Sequence, residues 1–336
     1  MKQNCLKLPC LIVCLIACIA LSACFLTGCG KNSYKDDGKL VIVTTIFPEY
    51  DWVLNILGDN PANGEVIMLL DNGVDLHNYQ PSADDILKIS TCDVFIYIGG
   101  PSDSWIDDAL KGAQNKDMKV IDLMDVLGDA VREEEEVEGM QSEDHDDNEE
   151  SSHEQEEVEY DEHIWLSLGN AEILTEKIAE EIAAADPDNA QLYMDNAKAY
   201  VSKLAALDEE YKAAVKAGSK DTILFGDRFP FRYLTDDYNL NYYAAFAGCS
   251  AETEASFETI TFLAAKVDEL NLDCVLITES SDGSIARTVI SSTKTGKVKT
   301  LTLNSMQSVT TEDAENGTSY LSIMRDNLKV LEEALK

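Results

Sequence analysis

Positive charge is scarce in this chain: 26 lysines and arginines stand against 63 aspartates and glutamates, for a formal net charge of -37. So anionic a surface repels phosphate backbones, which excludes nucleic acid as a partner. Histidine is scarcer still, with four in 336 residues. Six of the nine cysteines lie at or before Cys29, leaving Cys92, Cys249 and Cys274 for the folded part. Three scattered cysteines make no disulfide framework. Cys249 and Cys274 fall in the same half and can either pair in an oxidising compartment or act as small buried hydrophobes. Neither a His-Glu-x-x-His pair nor a Gly-x-Ser-x-Gly elbow occurs, so two common hydrolase signatures are missing.

What is there begins with a processing signal. Lys2 and Lys7 precede an apolar run from Leu8 to Leu26, and Leu26-Thr27-Gly28-Cys29 places small residues before a cysteine. That order predicts a lipoprotein signal over residues 1–29, acylation of Cys29 and a polar tether over 30–37. Leu21-Ser22-Ala23-Cys24 is a competing site, and an uncleaved anchor is the alternative to both. Much of the negative charge is local. Residues 133–162 hold seventeen Asp or Glu and no Lys or Arg. Self-repulsion with little apolar surface to bury predicts a mobile loop there.

The remaining chain alternates short apolar runs with helix-like segments. Strands are expected at Leu40–Thr44, Val66–Leu70, Asp93–Ile98 and Lys119–Leu123, with helices at Pro48–Leu57, Pro81–Ser90 and Ser104–Gln114. A second block repeats the order: strands at Thr222–Phe225, Tyr242–Phe246, Cys274–Thr278 and Val298–Leu303, and helices at Ser256–Leu270, Ser284–Thr293 and Ser319–Leu335. Between the blocks, Tyr193, Ala197, Tyr200, Leu204, Leu207, Tyr211 and Ala214 step by fours and threes, which predicts one helix of roughly 45 Å over 187–217. The fold class is therefore α/β: an N-terminal lobe (38–186) and a C-terminal lobe (218–336), each with about four mainly parallel strands.

Two histidines stand alone in well-formed segments: His77 in Asp75-Leu76-His77-Asn78-Tyr79-Gln80-Pro81-Ser82, and His163 in Asp161-Glu162-His163-Ile164-Trp165-Leu166-Ser167. A neutral imidazole is the commonest protein metal ligand, so the pair predicts a metal site assembled from distant parts of the chain. His77 follows a strand, where ligands of open α/β sheets sit, and Asp75 can ligate or orient it. His145 and His153 fall within the acidic run, as a solvated segment, a collector of ions or a further imidazole.

These two motifs, the histidine-bearing acidic insertion and the C-terminal Ser319–Leu335 run together resemble the metal-binding lipoproteins that feed zinc or manganese to ABC importers, over nearly all of residues 38–336. The resemblance implies two lobes joined by one long helix, a cation in the cleft, a membrane permease as partner and anchoring through an N-terminal lipid. It places a third ligand, His or Glu, at Gly226 and a fourth, Asp, at Asn304, and neither residue here supplies a carboxylate or an imidazole. Asp227 and Glu279 are the expected substitutes, with Glu254 a further option. Arg228 can instead neutralise Asp227. The expected function is a monomeric, surface-anchored carrier of zinc, with manganese as the alternative cargo; a metal-dependent hydrolase or an adhesin is the competing class.

Overall fold

A computed structural model describes residues 39–59, 64–73, 75–141, 159–250 and 254–336. Gly38–Lys336 form one compact unit. The chain begins with β1 (Val41–Thr44), α1 (Phe47–Leu57), β2 (Glu65–Met68), α2 (Ala83–Thr91), β3 (Val94–Tyr97), α3 (Ile106–Lys111), β4 (Lys119–Asp122) and α4 (Leu123–Leu127). The four strands form one sheet in the order β2-β1-β3-β4, every neighbour parallel. Ile42, Val43, Val94, Phe95 and Ile96 are fully buried, as strands covered on both faces require. Local chemistry sets the helix starts. Glu49 accepts the backbone N–H groups of Thr45 and Ile46 at 2.7 and 3.2 Å at the head of α1. Ser82 and Asp85 cap α2 reciprocally, so Pro81 precedes the helix instead of opening it.

Two helices follow, α5 (Leu168–Ala185) and α6 (Ala190–Ala217), separated by a tight turn at Pro187–Asn189. Pro187 sets φ for that turn, so α6 starts three residues later than the periodicity predicts. Its 28 residues span about 42 Å. Tyr193, Ala197, Tyr200, Leu204, Leu207 and Tyr211 all face inward, and the helix packs on α1 and α5. Tyr200 Oη donates to Asp51 in the first lobe at 3.0 Å, and Tyr211 Oη to the Met324 carbonyl in the second at 2.6 Å. One helix therefore contributes side chains to both halves of a common core.

The second lobe contains β5 (Thr222–Leu224), β6 (Arg228–Phe229), α7 (Arg232–Tyr238), β7 (Asn241–Tyr243), β8 (Phe246–Ala247), α8 (Phe257–Leu270), β9 (Cys274–Thr278), α9 (Ser284–Ser292), β10 (Lys299–Leu303), α10 (Thr311–Glu315) and α11 (Tyr320–Ala334). β5 pairs with β7 and β9 with β10, all parallel, and a bridge between Phe225 and Leu276 joins the two pairs. The segment expected as one strand over 242–246 is two. The amides of Ala245 and Phe246 donate to the Asp227 carbonyl, which shifts the chain from pairing with β5 to pairing with β6.

The described ends of the acidic run are structured. Residues 131–141 leave the first lobe and lie along the second as a strap: Arg132 N donates to Tyr233 Oη, Glu135 takes Arg232 and Tyr242, and Gln141 N donates to the Ala245 carbonyl. The chain returns beside it, with Glu133 bridged to Tyr160. Specific partners on the second lobe offset the repulsion that composition alone suggests. Residues 142–158, with His145 and His153, lie outside the described residues, as do Cys24 and Cys29.

Candidate metal centre

His77 sits in a single helical turn, Leu76–Asn78, whose opening residue Asp75 accepts the His77 backbone N–H at 3.0 Å. Buried Leu76 fixes the turn to the core. His163 is held the same way: Asp161 Oδ1 accepts its backbone N–H at 2.8 Å and its Nδ1–H at 2.9 Å. Ile164, Trp165 and Leu166 follow in a fully buried turn, and Trp165 donates to the Ser305 carbonyl of the second lobe.

The two rings meet with Nε2 atoms 3.3 Å apart. The opposite nitrogen of each ring is already engaged. His77 Nδ1 lies 2.9 Å from Ser102 Oγ and 3.2 Å from Glu162 Oε2, and Ser102 donates both its hydroxyl and its backbone N–H to buried Glu162. With Nδ1 as donor on both rings, each Nε2 presents a lone pair to the same point. Two lone pairs at that separation need an electron-pair acceptor between them, a proton or a cation. Burial lowers the pKa of His163, but the charge and hydrogen bond of Asp161 together with the Glu162 and Asp75 carboxylates outweigh it, and the net shift is upward. The pocket favours positive charge.

A third donor faces the same point: the His77, His163 and Cys249 ligand atoms all lie within 4.8 Å of one another, the only such group among the described residues. Cys249 follows β8, and Gly248 makes the approach possible. A Cβ at Gly248 would stand 2.9 Å from the Phe229 carbonyl and 3.1 Å from His163 Cε1. The Cys249 amide donates to Glu134 of the strap at 3.0 Å. Burial first, then Asp161, Glu134 and Glu162, push the free thiol well above its usual range. Sequence reasoning passed over this residue as a ligand. The available signal was its place just after a strand, behind a glycine, whereas Cys92 and Cys274 sit at element ends within the core. Cys249 and Cys274 are both unbridged.

The other expected ligands are engaged elsewhere. Asp227 Oδ2 accepts the backbone and hydroxyl of Thr278 at 3.0 and 2.8 Å, tying the end of β5 to the end of β9, and its Oδ1 accepts the Arg228 amide. Arg228 pairs with Asp75 across the cleft at 3.4 Å. Glu279 accepts Ser305 N at 2.7 Å and Ser305 Oγ at 2.9 Å. Asn304 Oδ1 accepts the Met306 amide, and Glu254 is exposed. Gly226 lies against α9, where a Cβ would stand 2.6 Å from Ala286 Cα. No side chain fits there.

Residues 42–334 match the family described as ZnuA, zinc-uptake complex component A, periplasmic. The chain belongs to this family. Among its ZnuA-family relatives, zinc-binding lipoprotein AdcA of Streptococcus pneumoniae is 34% identical over 318 residues, covering 94% of this chain and 59% of that protein. The chain thus spans about three fifths of the length of that relative. High-affinity zinc uptake system protein ZnuA of Bacillus subtilis is 29% identical over 328 residues, covering 94% of this chain and 96% of that one. The crystal structure of the Zn(II)-bound ZnuA-like domain of the pneumococcal AdcA superimposes with a TM-score of 0.67 at 29% identity, covering 89% of this chain and 99% of that domain.

Proposed function

We propose that this ZnuA-family chain captures a zinc ion between its lobes and delivers it to an ABC permease, as a carrier and not a catalyst. The observation that carries this reading is the 3.3 Å between His77 Nε2 and His163 Nε2. Two nitrogens bound to one zinc at about 2.0–2.1 Å and a tetrahedral angle stand roughly 3.3–3.4 Å apart. The two rings are therefore already at the spacing a zinc ion imposes. Capture replaces the water shell of the ion with two neutral imidazoles in a pocket ringed by Asp75, Asp161, Glu162 and Glu134. The names of the relatives support zinc over manganese.

Asp227 and Glu279 complete the proposed ligand set only if they exchange their present hydrogen bonds for the ion. Anchoring through an acylated Cys29 places the carrier on the outer face of the cell membrane as a monomer. Among the described residues no helix is long and apolar enough to cross a membrane. The deciding experiment is competition titration with zinc and manganese, alongside elemental analysis. His77→Ala and His163→Ala should each weaken zinc binding by about tenfold or more; unchanged affinity in both variants refutes the site. Cys29→Ser should move the chain out of the membrane fraction, and retention there refutes the anchor.

A further inference from the structure

We propose that the Cys249 thiolate is the third protein ligand of the ion held by His77 and His163, making a two-nitrogen, one-sulfur donor set that selects zinc over harder cations. This rests on the carrier reading above and adds the ligand that decides metal choice. The geometry comes from three separate elements. His77 arrives on the turn after β2, His163 on the turn before α5, and Cys249 on the loop after β8, yet their ligand atoms lie within 4.8 Å of one another. For a tetrahedral zinc with Zn–S of about 2.3 Å and Zn–N of about 2.0–2.1 Å, sulfur stands roughly 3.5 Å from each nitrogen. The thiol is thus at most about 1.3 Å farther from either nitrogen than a ligating sulfur would stand.

The surroundings support this placement. Gly248 lets the loop lie against the His163 ring, and Glu134 accepts the Cys249 amide, so the backbone that carries the thiol is held at both residues. The other candidate donors hold other bonds: Asp75, whose Oδ1 stands 4.0 Å from His77 Nε2, closes the His77 turn and pairs with Arg228, Asp227 braces β5 to β9, and Glu279 holds Ser305. Cys92 and Cys274 are buried away from the cluster. Three protein donors leave one coordination position open, as suits an ion that must be passed on. A thiolate suits zinc, whereas manganese prefers carboxylate, carbonyl and water oxygens.

The test uses the full chain and reads each cysteine by peptide mass mapping after iodoacetamide treatment, with and without zinc. Zinc should slow alkylation of Cys249 by about tenfold or more, as loss of a free thiolate to a metal bond demands, and leave Cys92 and Cys274 unchanged. Cys249→Ser should lower zinc affinity by about tenfold or more with manganese affinity unchanged. The same substitution should abolish the near-ultraviolet sulfur-to-metal absorption of the cobalt(II) form. If metal analysis of the same sample finds zinc bound while Cys249 reacts at the zinc-free rate, the thiolate ligand is overturned and the carrier reading stands. If no zinc binds, both fall. The alkylation result needs no variant, so a misfolded Cys249→Ser protein does not obscure it.

Discussion

Each histidine reaches the centre from a turn closed by an aspartate two residues earlier, Asp75 for His77 and Asp161 for His163. That Asp-x-His spacing was legible in the sequence, because a short carboxylate two positions back is placed to accept the backbone N–H of the histidine. For Cys249 the sequence offers only its place after a strand and behind Gly248. Its proximity to the histidines depends also on the strap and on a strand that changes neighbour halfway, neither of which has a spacing rule. At Asp161 one carboxylate oxygen holds both the turn and the tautomer. Asp161→Asn keeps an oxygen that can accept the same two bonds but removes the charge. Zinc affinity should fall by about tenfold with the melting temperature of the metal-free protein little changed, as seen by competition titration beside thermal unfolding. A large drop in that temperature with no change in affinity would make Asp161 a purely structural residue.

Gly226 separates two readings of the second lobe. From sequence it is a ligand position without a ligand; in the fold it is where β5 passes beneath α9. Restoring an imidazole with Gly226→His should therefore bring no gain in zinc affinity. Forcing a side chain against Ala286 should destabilise the chain by about 1–3 kcal/mol, measurable by urea unfolding. A tighter zinc site in that variant would show that α9 yields. Elements with many periodic positions were the legible ones: the α6 stripe is buried as its spacing requires, and the four strands of the first lobe fall where their apolar runs lie. The pairs β6/β8 and the short α4, α7 and α10 were missed because two to seven residues carry too little periodicity to mark them.

Over the whole molecule, the buried carboxylates set a pH dependence of their own. Burial raises Asp51 and Asp237 from 3.8 to about 6 and Asp103 to about 7; hydrogen bonds from Tyr200 and the Tyr320 backbone only partly offset this at Asp51. A carboxyl that is easier to protonate in the folded state favours the fold below its unfolded pKa and loses that contribution as pH rises through the folded value. The metal-free protein should thus unfold at progressively lower temperature between about pH 4 and pH 7, by roughly 2–4 °C per kcal/mol lost. A midpoint that rises across this window in differential scanning calorimetry would contradict the assignment. Saturating zinc should raise the midpoint at neutral pH by mass action.

The strap has a topological consequence. Its outgoing arm is fixed to the second lobe through Arg132, Glu135 and Gln141, and its returning arm ends at Asp161, whose carbonyl accepts Tyr233 Oη. The polypeptide thus crosses between the lobes three times, on the strap, on its return and at the end of α6. A single break in the backbone between residues 142 and 158 falls between the outgoing and returning arms and would leave all three crossings intact. The two pieces it leaves are not the two lobes: β1 to β4 with the outgoing arm form one, and α5, α6 and the entire second lobe form the other. His77 and His163 would then belong to different pieces, and an ion bound by both would join what the break had separated.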